Sequence, residues 1–256
     1  MYEKIISELK KIEEKNDVRI IYACESGSRA WGFPSKDSDY DVRFIYIHPV
    51  DWYLSIHEKR DVIDMPINDL LDINGWDIRK SLKLFRKSNP PFLEWLESPI
   101  VYLEKYTITQ KMRELGNLGF SPLSCLYHYL SIAKGNFRKY LQGDNVRVKK
   151  YFYALRPILA CKWIEERNTM PPMEFALLLN TVLPNGNLVD EIQDLLIRKK
   201  SGEELDYGPQ IRSINEFLDE HIQHFDHYLK SVGKKQPAEE IVFDSIFREA
   251  LREVWL

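Results

Sequence analysis

The chain has 256 residues, of which 44% are hydrophobic and 12% aromatic, and its 36 Lys and Arg against 39 Asp and Glu leave a net charge of −3. This composition supplies a hydrophobic core for one large domain or two small ones, and it excludes a disordered chain. A net charge so close to zero also excludes a protein that coats nucleic acid through a generally cationic surface.

The predicted elements begin with a helix and alternate with strands through the first third of the chain. Apolar residues at helical spacing predict a helix over residues 5–12, and β-branched runs predict strands over 18–22 and 41–47 with a loop at 34–38 between them. Short extended segments are expected around residues 62–63 and 70–73, and a helical period begins at Trp76.

Beyond residue 105 the pattern is helical, and we expect no strand after the first third of the chain. The predicted helices cover residues 122–141, 146–168, 173–182, 187–200, 210–231 and 238–254. Strands followed by helices indicate an α+β protein. We therefore predict a domain over residues 1–105 that contains the strands, followed by an all-α domain over residues 106–256.

Cysteine spacing and hydropathy bear on the cellular compartment. Cys24, Cys125 and Cys161 are far apart and form no CxxC pair, so we expect reduced thiols and neither disulfides nor a cysteine zinc site. No stretch approaches the roughly 20 apolar residues of a membrane span, and the charged N-terminus lacks a signal-like core. We expect a cytoplasmic protein without a membrane partner.

The densest cluster of polar and small residues follows the first predicted strand. Gly27 and Ser28 come directly after it, and Asp39 and Asp41 flank the start of the second strand. Side chains alternate along a strand, so the two carboxylates face the same way and would repel each other without a cation. A hard ion such as Mg²⁺ accepts carboxylate and phosphate oxygens together, while Gly27 and Ser28 offer backbone N–H groups and a hydroxyl to phosphate.

The familiar nucleotide motifs are absent, since the chain has neither GxxxxGK[ST] nor GxGxxG after a strand. Instead, GSRAWGFPSKDSDYDVRFIY resembles the GS and DxD signature of the DNA polymerase β nucleotidyltransferase superfamily. Further tracts resemble its YcgL-like branch, the RNA repair pathway polymerase β family. These tracts lie at residues 72–80, 88–96, 98–102 and 149–157.

The resemblance implies a small mixed sheet flanked by helices that binds a nucleoside triphosphate, with ATP as the expected substrate. Gly27 and Ser28 would hold the β- and γ-phosphates, and Asp39 and Asp41 would bind Mg²⁺ or Mn²⁺. The superfamily adds a third carboxylate on a neighbouring strand. Asp72 fits that pattern best because it stands between two apolar residues, and the alternatives are Asp61, Asp64 and Asp77.

A short basic stretch is the second informative feature. Residues 131–156 contain seven Lys or Arg and one Asp, interleaved with aromatic residues. Lys149, Tyr153 and Arg156 have the i, i+4, i+7 spacing of one helical face, and Lys150 is the i−3 neighbour of Tyr153. We predict that these four residues contact the triphosphate or the acceptor phosphate, and Arg29 is a further candidate. Residues 1–105 are then the expected catalytic domain, and the helical domain over residues 106–256 is expected to contribute nucleotide and acceptor contacts. The alternative is a solvated helix face.

The leading hypothesis is a metal-dependent nucleotidyltransferase of the EC 2.7.7 type that transfers a nucleoside monophosphate to a hydroxyl on an RNA end and releases pyrophosphate. Two-metal chemistry would activate the hydroxyl and neutralise the leaving group. A second hypothesis is an adenylyltransferase for a small molecule or a protein side chain, which the modest net charge favours. A third is a module that binds nucleotide without catalysis. The sequence contains no motif for the acceptor, the base or the oligomeric state.

Overall fold

The computed structural model describes residues 1–35, 38–66, 70–203, 205–236 and 238–256. Lys36 and Asp37 of the predicted loop at 34–38 lie outside these residues. The chain forms two compact units. The first comprises Met1–Ala30, Asp39–Gly119 and Gln236–Leu256, and the second comprises Trp31–Ser38 and Phe120–Lys235.

The first unit contains a five-stranded mixed sheet. Its strands are β1 (Arg19–Ser26), β2 (Tyr40–Ile47), β3 (Val62–Asp64), β4 (Leu71–Asp77) and β5 (Val101–Glu104). They lie in the order β3-β4-β2-β1-β5, and β2 and β4 run parallel while the other pairs are antiparallel. The sheet, together with the helices around it, confirms the predicted α+β class.

Before residue 120, the described residues of the first unit form seven helices. They are α1 (Tyr2–Asn16), α2 (Gly27–Ala30), α3 (Val50–Tyr53), α4 (Ile78–Arg86), α5 (Pro90–Leu96), α6 (Ile108–Glu114) and α7 (Gly116–Gly119). α1 packs against the sheet through Ile5, Leu9 and Ile12, which belong to one buried cluster with apolar residues of β1, β2 and β4. Strand β1, which lies between β2 and β5, is buried on both faces over residues 20–25, as its continuous apolar run predicts.

The boundary between β4 and α4 differs from the predicted helix start at Trp76. β4 continues through Trp76 to Asp77, and α4 begins at Ile78. The Asp77 side chain fixes this boundary because its Oδ1 accepts the Arg79 N–H at 2.8 Å, which makes it the N-cap of α4. Trp76 instead stacks on Trp95 with a centroid distance of 3.8 Å.

The second unit is mainly helical. Its helices are α8 (Pro122–Tyr140), α9 (Lys150–Arg167), α10 (Phe175–Val182), α11 (Asn187–Lys200) and α12 (Arg212–Tyr228). They follow the predicted helices closely except at residue 146, where a strand replaces the expected helix start. Strands β6 (Asn145–Arg147) and β7 (Tyr207–Pro209) pair antiparallel. The expectation of no strand after the first third was wrong for β5, β6 and β7. Within the described residues, the expectation of an all-α domain over residues 106–256 was wrong for β6 and β7 alone.

A buried hydrogen-bond network joins three helices of the second unit. The Tyr151 hydroxyl donates to Oδ1 of Asn215 at 2.6 Å and accepts the Ile211 N–H at 2.9 Å. Asn215 also donates through Nδ2 to the Leu141 carbonyl at 2.7 Å. Because buried polar groups are stable only when paired, this network fixes the start of α9 and α12 against the end of α8.

The last helix returns to the first unit. α13 (Glu240–Trp255) lies there with the sheet and α1–α7. Residues 106–119 also belong to this unit, so the compact units differ from the ranges 1–105 and 106–256. The division of catalytic roles between those ranges stays a prediction. Among the described residues, no helix has the length and apolar character needed to cross a membrane.

Candidate active site

Two acidic residues face each other across the parallel pair β2 and β4. Asp41 and Asp72 are register partners. Arg43 joins them, because its Nη2 lies 3.2 Å from Oδ1 of Asp41 and 2.7 Å from Oδ2 of Asp72. The same guanidinium donates through Nη1 to the main-chain oxygen of Asp72 at 2.9 Å. Both carboxylates are thus close enough to share one cation.

The pKa of Asp41 also depends on the charge of Asp39. Burial raises the pKa of Asp41, Arg43 partly lowers it, and the charges of Asp72 and Asp39 raise it further. Asp39 lies directly before β2, where its main-chain oxygen accepts a hydrogen bond from Arg29 Nε at 3.1 Å. The Arg29 guanidinium also lies 3.6 Å from the centroid of the Tyr40 ring. Three carboxylates therefore share one electrostatic environment.

The glycine of the GS motif contacts one of these acids. Gly27 has φ of +62°, and a Cβ built on it would overlap Oδ2 of Asp41. Glycine meets both demands at once, the left-handed backbone and the close approach of a carboxylate. Ser28 is the next residue of the single-turn helix α2 and is partly exposed. The two halves of the motif therefore meet at Gly27 and Asp41.

Glu25 is a site residue that the sequence analysis missed. It is fully buried, its Oε1 accepts the Asp41 N–H at 2.7 Å, and its Oε2 accepts the Tyr102 hydroxyl. Burial raises the pKa of Glu25 to about 7. Ser98 Oγ donates to the Glu25 main-chain oxygen at 2.7 Å, so the tract at residues 98–102 supports Glu25. The sequence signal for Glu25 is a carboxylate near the end of a buried apolar strand.

Arg43 was also missed, although strand alternation contains its signal. Residues 39, 41 and 43 share one face of an extended chain, so an arginine two residues after Asp41 lies beside that carboxylate. In the structure its side chain is 18% exposed. Arginine suits this position because its planar guanidinium contacts two carboxylates at once.

The alternative third acids have other partners. Asp61 pairs with Lys80 at 3.0 Å, and Asp64 pairs with Arg60 at 2.5 Å on the exposed side of β3. Asp77 is buried at the far end of β4, where Oδ2 accepts the Tyr53 hydroxyl at 2.6 Å. Of the four candidates, Asp72 is the one that the structure places opposite Asp41.

The structural position of Asp77 leads to a prediction about stability. Burial raises its pKa to about 6, and the hydrogen bonds from Tyr53 and Arg79 oppose this effect only in part. Because the folded protein holds this proton more tightly than the unfolded chain, the contribution of Asp77 to stability is greatest below pH 4. This contribution is expected to fall by about 3 kcal/mol as the pH rises through 6.

Asp77→Asn is expected to remove this decrease, since the amide keeps the size of the side chain but does not titrate. Urea unfolding of the wild type and the variant between pH 4 and pH 7 measures the difference. If the two free energies of unfolding kept a constant separation over this range, Asp77 would not be the titrating group.

The fit of the acidic cluster to a divalent ion depends on its donor atoms. Asp39, Asp41 and Asp72 offer carboxylate oxygens, the ligands that Mg²⁺ and Mn²⁺ prefer. The negative charges of Asp39 and Asp72 raise the pKa of Asp41 and so disfavour its ionised form. Among the described residues, no three His, Cys, Asp or Glu side chains form a ready metal-binding group. In this structure the Arg43 guanidinium supplies positive charge to two of the acids.

Apart from Arg29, the basic residues predicted to contact nucleotide lie in the second unit. Lys150 is the first residue of α9, and its ammonium group lies 4.4 Å from the centroid of the Tyr153 ring. Lys149 is exposed immediately before it. Burial lowers the pKa of the nearby Lys199 and the charge of Lys149 lowers it further, so two ammonium groups act on each other. This lysine cluster is a candidate phosphate contact, and Lys199 was not foreseen.

Arg156 differs from the other predicted contacts because it is only 3% exposed. Its Nε donates to the Met173 carbonyl at 3.2 Å, and its guanidinium lies 4.8 Å from the centroid of the Trp31 ring. Arg156 therefore lies under the surface of the second unit and not on an open helical face with Lys149. Its contact with nucleotide stays a prediction.

Comparisons with known proteins identify the family. The model of the RNA repair pathway DNA polymerase beta family matches residues 1–249. The chain belongs to this family of polymerase-β-like nucleotidyltransferases. It is 49% identical over 255 residues to the uncharacterized protein YcgL of Bacillus subtilis (strain 168), covering 100% of this chain and 98% of that protein.

One solved structure aligns with most of the chain. It is a nucleotidyltransferase-like protein from Exiguobacterium sibiricum 255-15, with 10% identity and a TM-score of 0.30. The match covers 96% of this chain and 86% of that chain.

Proposed function

We propose that the protein transfers a nucleoside monophosphate from a nucleoside triphosphate, with ATP as the expected donor, to a hydroxyl on an RNA end. The observation that carries this proposal is the placement of the Asp41 carboxylate against Gly27 and opposite Asp72. A carboxylate cluster beside a glycine turn is an arrangement in which charge on a triphosphate can be held and neutralised. Membership of the RNA repair family supports RNA as the acceptor.

Asp39, Asp41 and Asp72 are the residues that would hold the divalent ion. When bound, Mg²⁺ or Mn²⁺ would neutralise charge on the reacting phosphates and lower the pKa of the acceptor hydroxyl. The donor set fits such an ion because a cation relieves the mutual repulsion that acts on Asp41.

The residues of the chain itself supply positioning. Gly27 leaves the space that the Asp41 carboxylate occupies, so the backbone of the glycine turn lies close to that carboxylate, and Ser28 adds a hydroxyl. Glu25 holds the main chain of Asp41 through the 2.7 Å hydrogen bond, and Arg43 keeps the Asp41 and Asp72 side chains directed toward each other. In the reaction the acceptor oxygen bonds to the α-phosphorus as the bond to the β-phosphate oxygen breaks. Pyrophosphate leaves with the electron pair, and the hydroxyl proton passes to solvent.

A panel of acceptors tests this proposal. Purified protein is incubated with Mg²⁺ and α-labelled nucleoside triphosphates, together with RNAs bearing a free terminal hydroxyl or a blocked one. We expect label to join only the free RNA end, one pyrophosphate to form per transfer, and EDTA to stop both. Label on protein or on a small molecule without RNA extension would support the adenylyltransferase alternative. Tight ATP binding without transfer to any acceptor would contradict an enzymatic role.

A further inference from the structure

The strongest local charge in the first unit lies on α4. Between Ile78 and Ser88 the chain has five basic residues and no acidic one. The near balance of charges over residues 1–100 conceals this segment. The five basic residues are Arg79, Lys80, Lys83, Arg86 and Lys87.

Three of these cations have partners within the first unit. Lys80 pairs with Asp61 at 3.0 Å, and Arg86 pairs with Glu240 at 3.0 Å. The Arg79 guanidinium lies over an aromatic ring, 5.3 Å from the centroid of Tyr53. These contacts hold α4 in place, whereas the two remaining lysines have no such contact among the described residues.

Lys83 and Lys87 are exposed and form no ion pair with any of the described residues. They are four residues apart, so their side chains project from the same face of the helix one turn apart. Two ammonium groups in this arrangement can follow successive phosphates of a polyanion.

Both lysines open onto a groove between α4 and α13, with a volume of about 550 Å³. The apolar residues that line it are Leu82, Phe243 and Phe247, and the two phenylalanines form its aromatic wall. The Phe247 ring is partly exposed and packs edge-on against Tyr53 with a centroid distance of 4.9 Å. The groove therefore combines a cationic rim with an aromatic wall, which is the combination that single-stranded nucleic acid recognition uses.

The acidic residues of the groove leave the net charge of its rim positive. Glu240 is neutralised by Arg86, and Asp244 pairs with Arg248 at 3.5 Å on an exposed turn of α13. An acidic peptide would match the lysines, but it has no planar bases to cover the aromatic wall. The combination favours RNA over such a peptide.

We infer that the groove between α4 and α13 binds the backbone of the single-stranded RNA that carries the acceptor end. This inference rests on the proposed RNA acceptor and adds a binding surface outside the carboxylate cluster. Lys83 and Lys87 contact phosphates, and the Phe247 ring stacks against a base.

Fluorescence anisotropy with a short, fluorescein-labelled single-stranded RNA, in the absence of nucleotide, tests the groove directly. The Lys83→Gln, Lys87→Gln double variant is compared with a Lys10→Gln, Lys15→Gln control, which removes the same charge from exposed positions of α1. We expect the groove variant to bind about tenfold more weakly at low salt, and its log–log salt slope to be less steep by about 1.4. The control is expected to bind like the wild type.

Two single variants separate the contributions of charge and stacking. Asp244→Asn removes a negative charge from the rim, so it is expected to tighten RNA binding about twofold, a gain that damage to the fold would not produce. Phe247→Leu keeps an apolar side chain but loses the ring, so it is expected to weaken binding without changing the salt slope.

Equal RNA affinity of the groove variant and its control would overturn the inference, and nucleotidyl transfer dependent on Asp41 would then still support the proposed function. Competition by polyglutamate but not by RNA would also overturn it and assign the groove to acidic proteins. RNA binding that depends on Lys83 and Lys87 in a protein without transfer activity would support the groove and reject only the proposed reaction.

Discussion

Asp41→Asn is expected to lower the rate of nucleotidyl transfer by about 10³-fold while the protein stays folded. The amide keeps the size of the side chain beside Gly27 but loses the charge that faces Asp72 and Arg43. The free energy of unfolding is expected to stay the same or rise, because the variant no longer buries one carboxylate next to another. Single-turnover transfer to RNA and urea unfolding measure the two effects.

Asp72→Asn and Asp64→Asn form a matched pair for the third acid. Both replace an aspartate in the β3–β4 hairpin, but only Asp72 lies opposite Asp41, whereas Asp64 is exposed and paired with Arg60. We expect a loss of at least about 10²-fold for Asp72→Asn and wild-type rates for Asp64→Asn. The reverse result would move the third carboxylate to β3, and full activity of Asp41→Asn would reject the site altogether.

The sequence was sufficient to predict the secondary structure of regions in which the local hydrophobic pattern agrees with the burial in the folded protein. The buried run before Gly27 predicted β1, and α11 was predicted with both of its ends correct. The GS and DxD motifs also predicted that Gly27 and Asp41 belong together, because a glycine turn after one strand and alternating acids on the next have few other arrangements. The contact between them is present in the structure.

Long-range pairing explains most of what the sequence could not specify. β6 pairs with β7 across about sixty residues, and nothing in the local pattern of either three-residue segment requires its partner. The register of β4 against β2 is similar, since Asp72 becomes the partner of Asp41 only through the parallel pairing. A helical period starting at Trp76 was a fair interpretation locally, but the Asp77 cap delays α4 by two residues.

Residues that support the site were harder to predict than those that form it. A buried carboxylate such as Glu25 has no spacing rule, because its partners Asp41 and Tyr102 come from two different strands. The burial of Arg156 depends on Trp31 and Met173, which are distant in sequence. The charge on α4 was concealed because the acidic residues of neighbouring segments balance it in any average over residues 1–100.

Gly27→Ala is also expected to cause a large loss of activity, by about 10²-fold or more, through displacement of Asp41. A methyl group at this position would overlap Oδ2 of Asp41, and the backbone φ of +62° disfavours any residue with a Cβ. The carboxylate must therefore move, the backbone must move, or both. Transfer rate and the free energy of unfolding are measured on the same preparation.

Gly143→Ala provides the control for backbone strain. Gly143 has φ of +87°, and a Cβ built on it meets no atom within 4 Å among the described residues. Gly143→Ala is expected to lose about 1–2 kcal/mol of stability because alanine is forced into a left-handed conformation, and Gly27→Ala is expected to lose more because its Cβ also overlaps Asp41. Only Gly27→Ala is expected to lose activity. If the two variants kept equal transfer rates, the contact between Gly27 and Asp41 would have no role in catalysis, and the glycine would serve the turn alone.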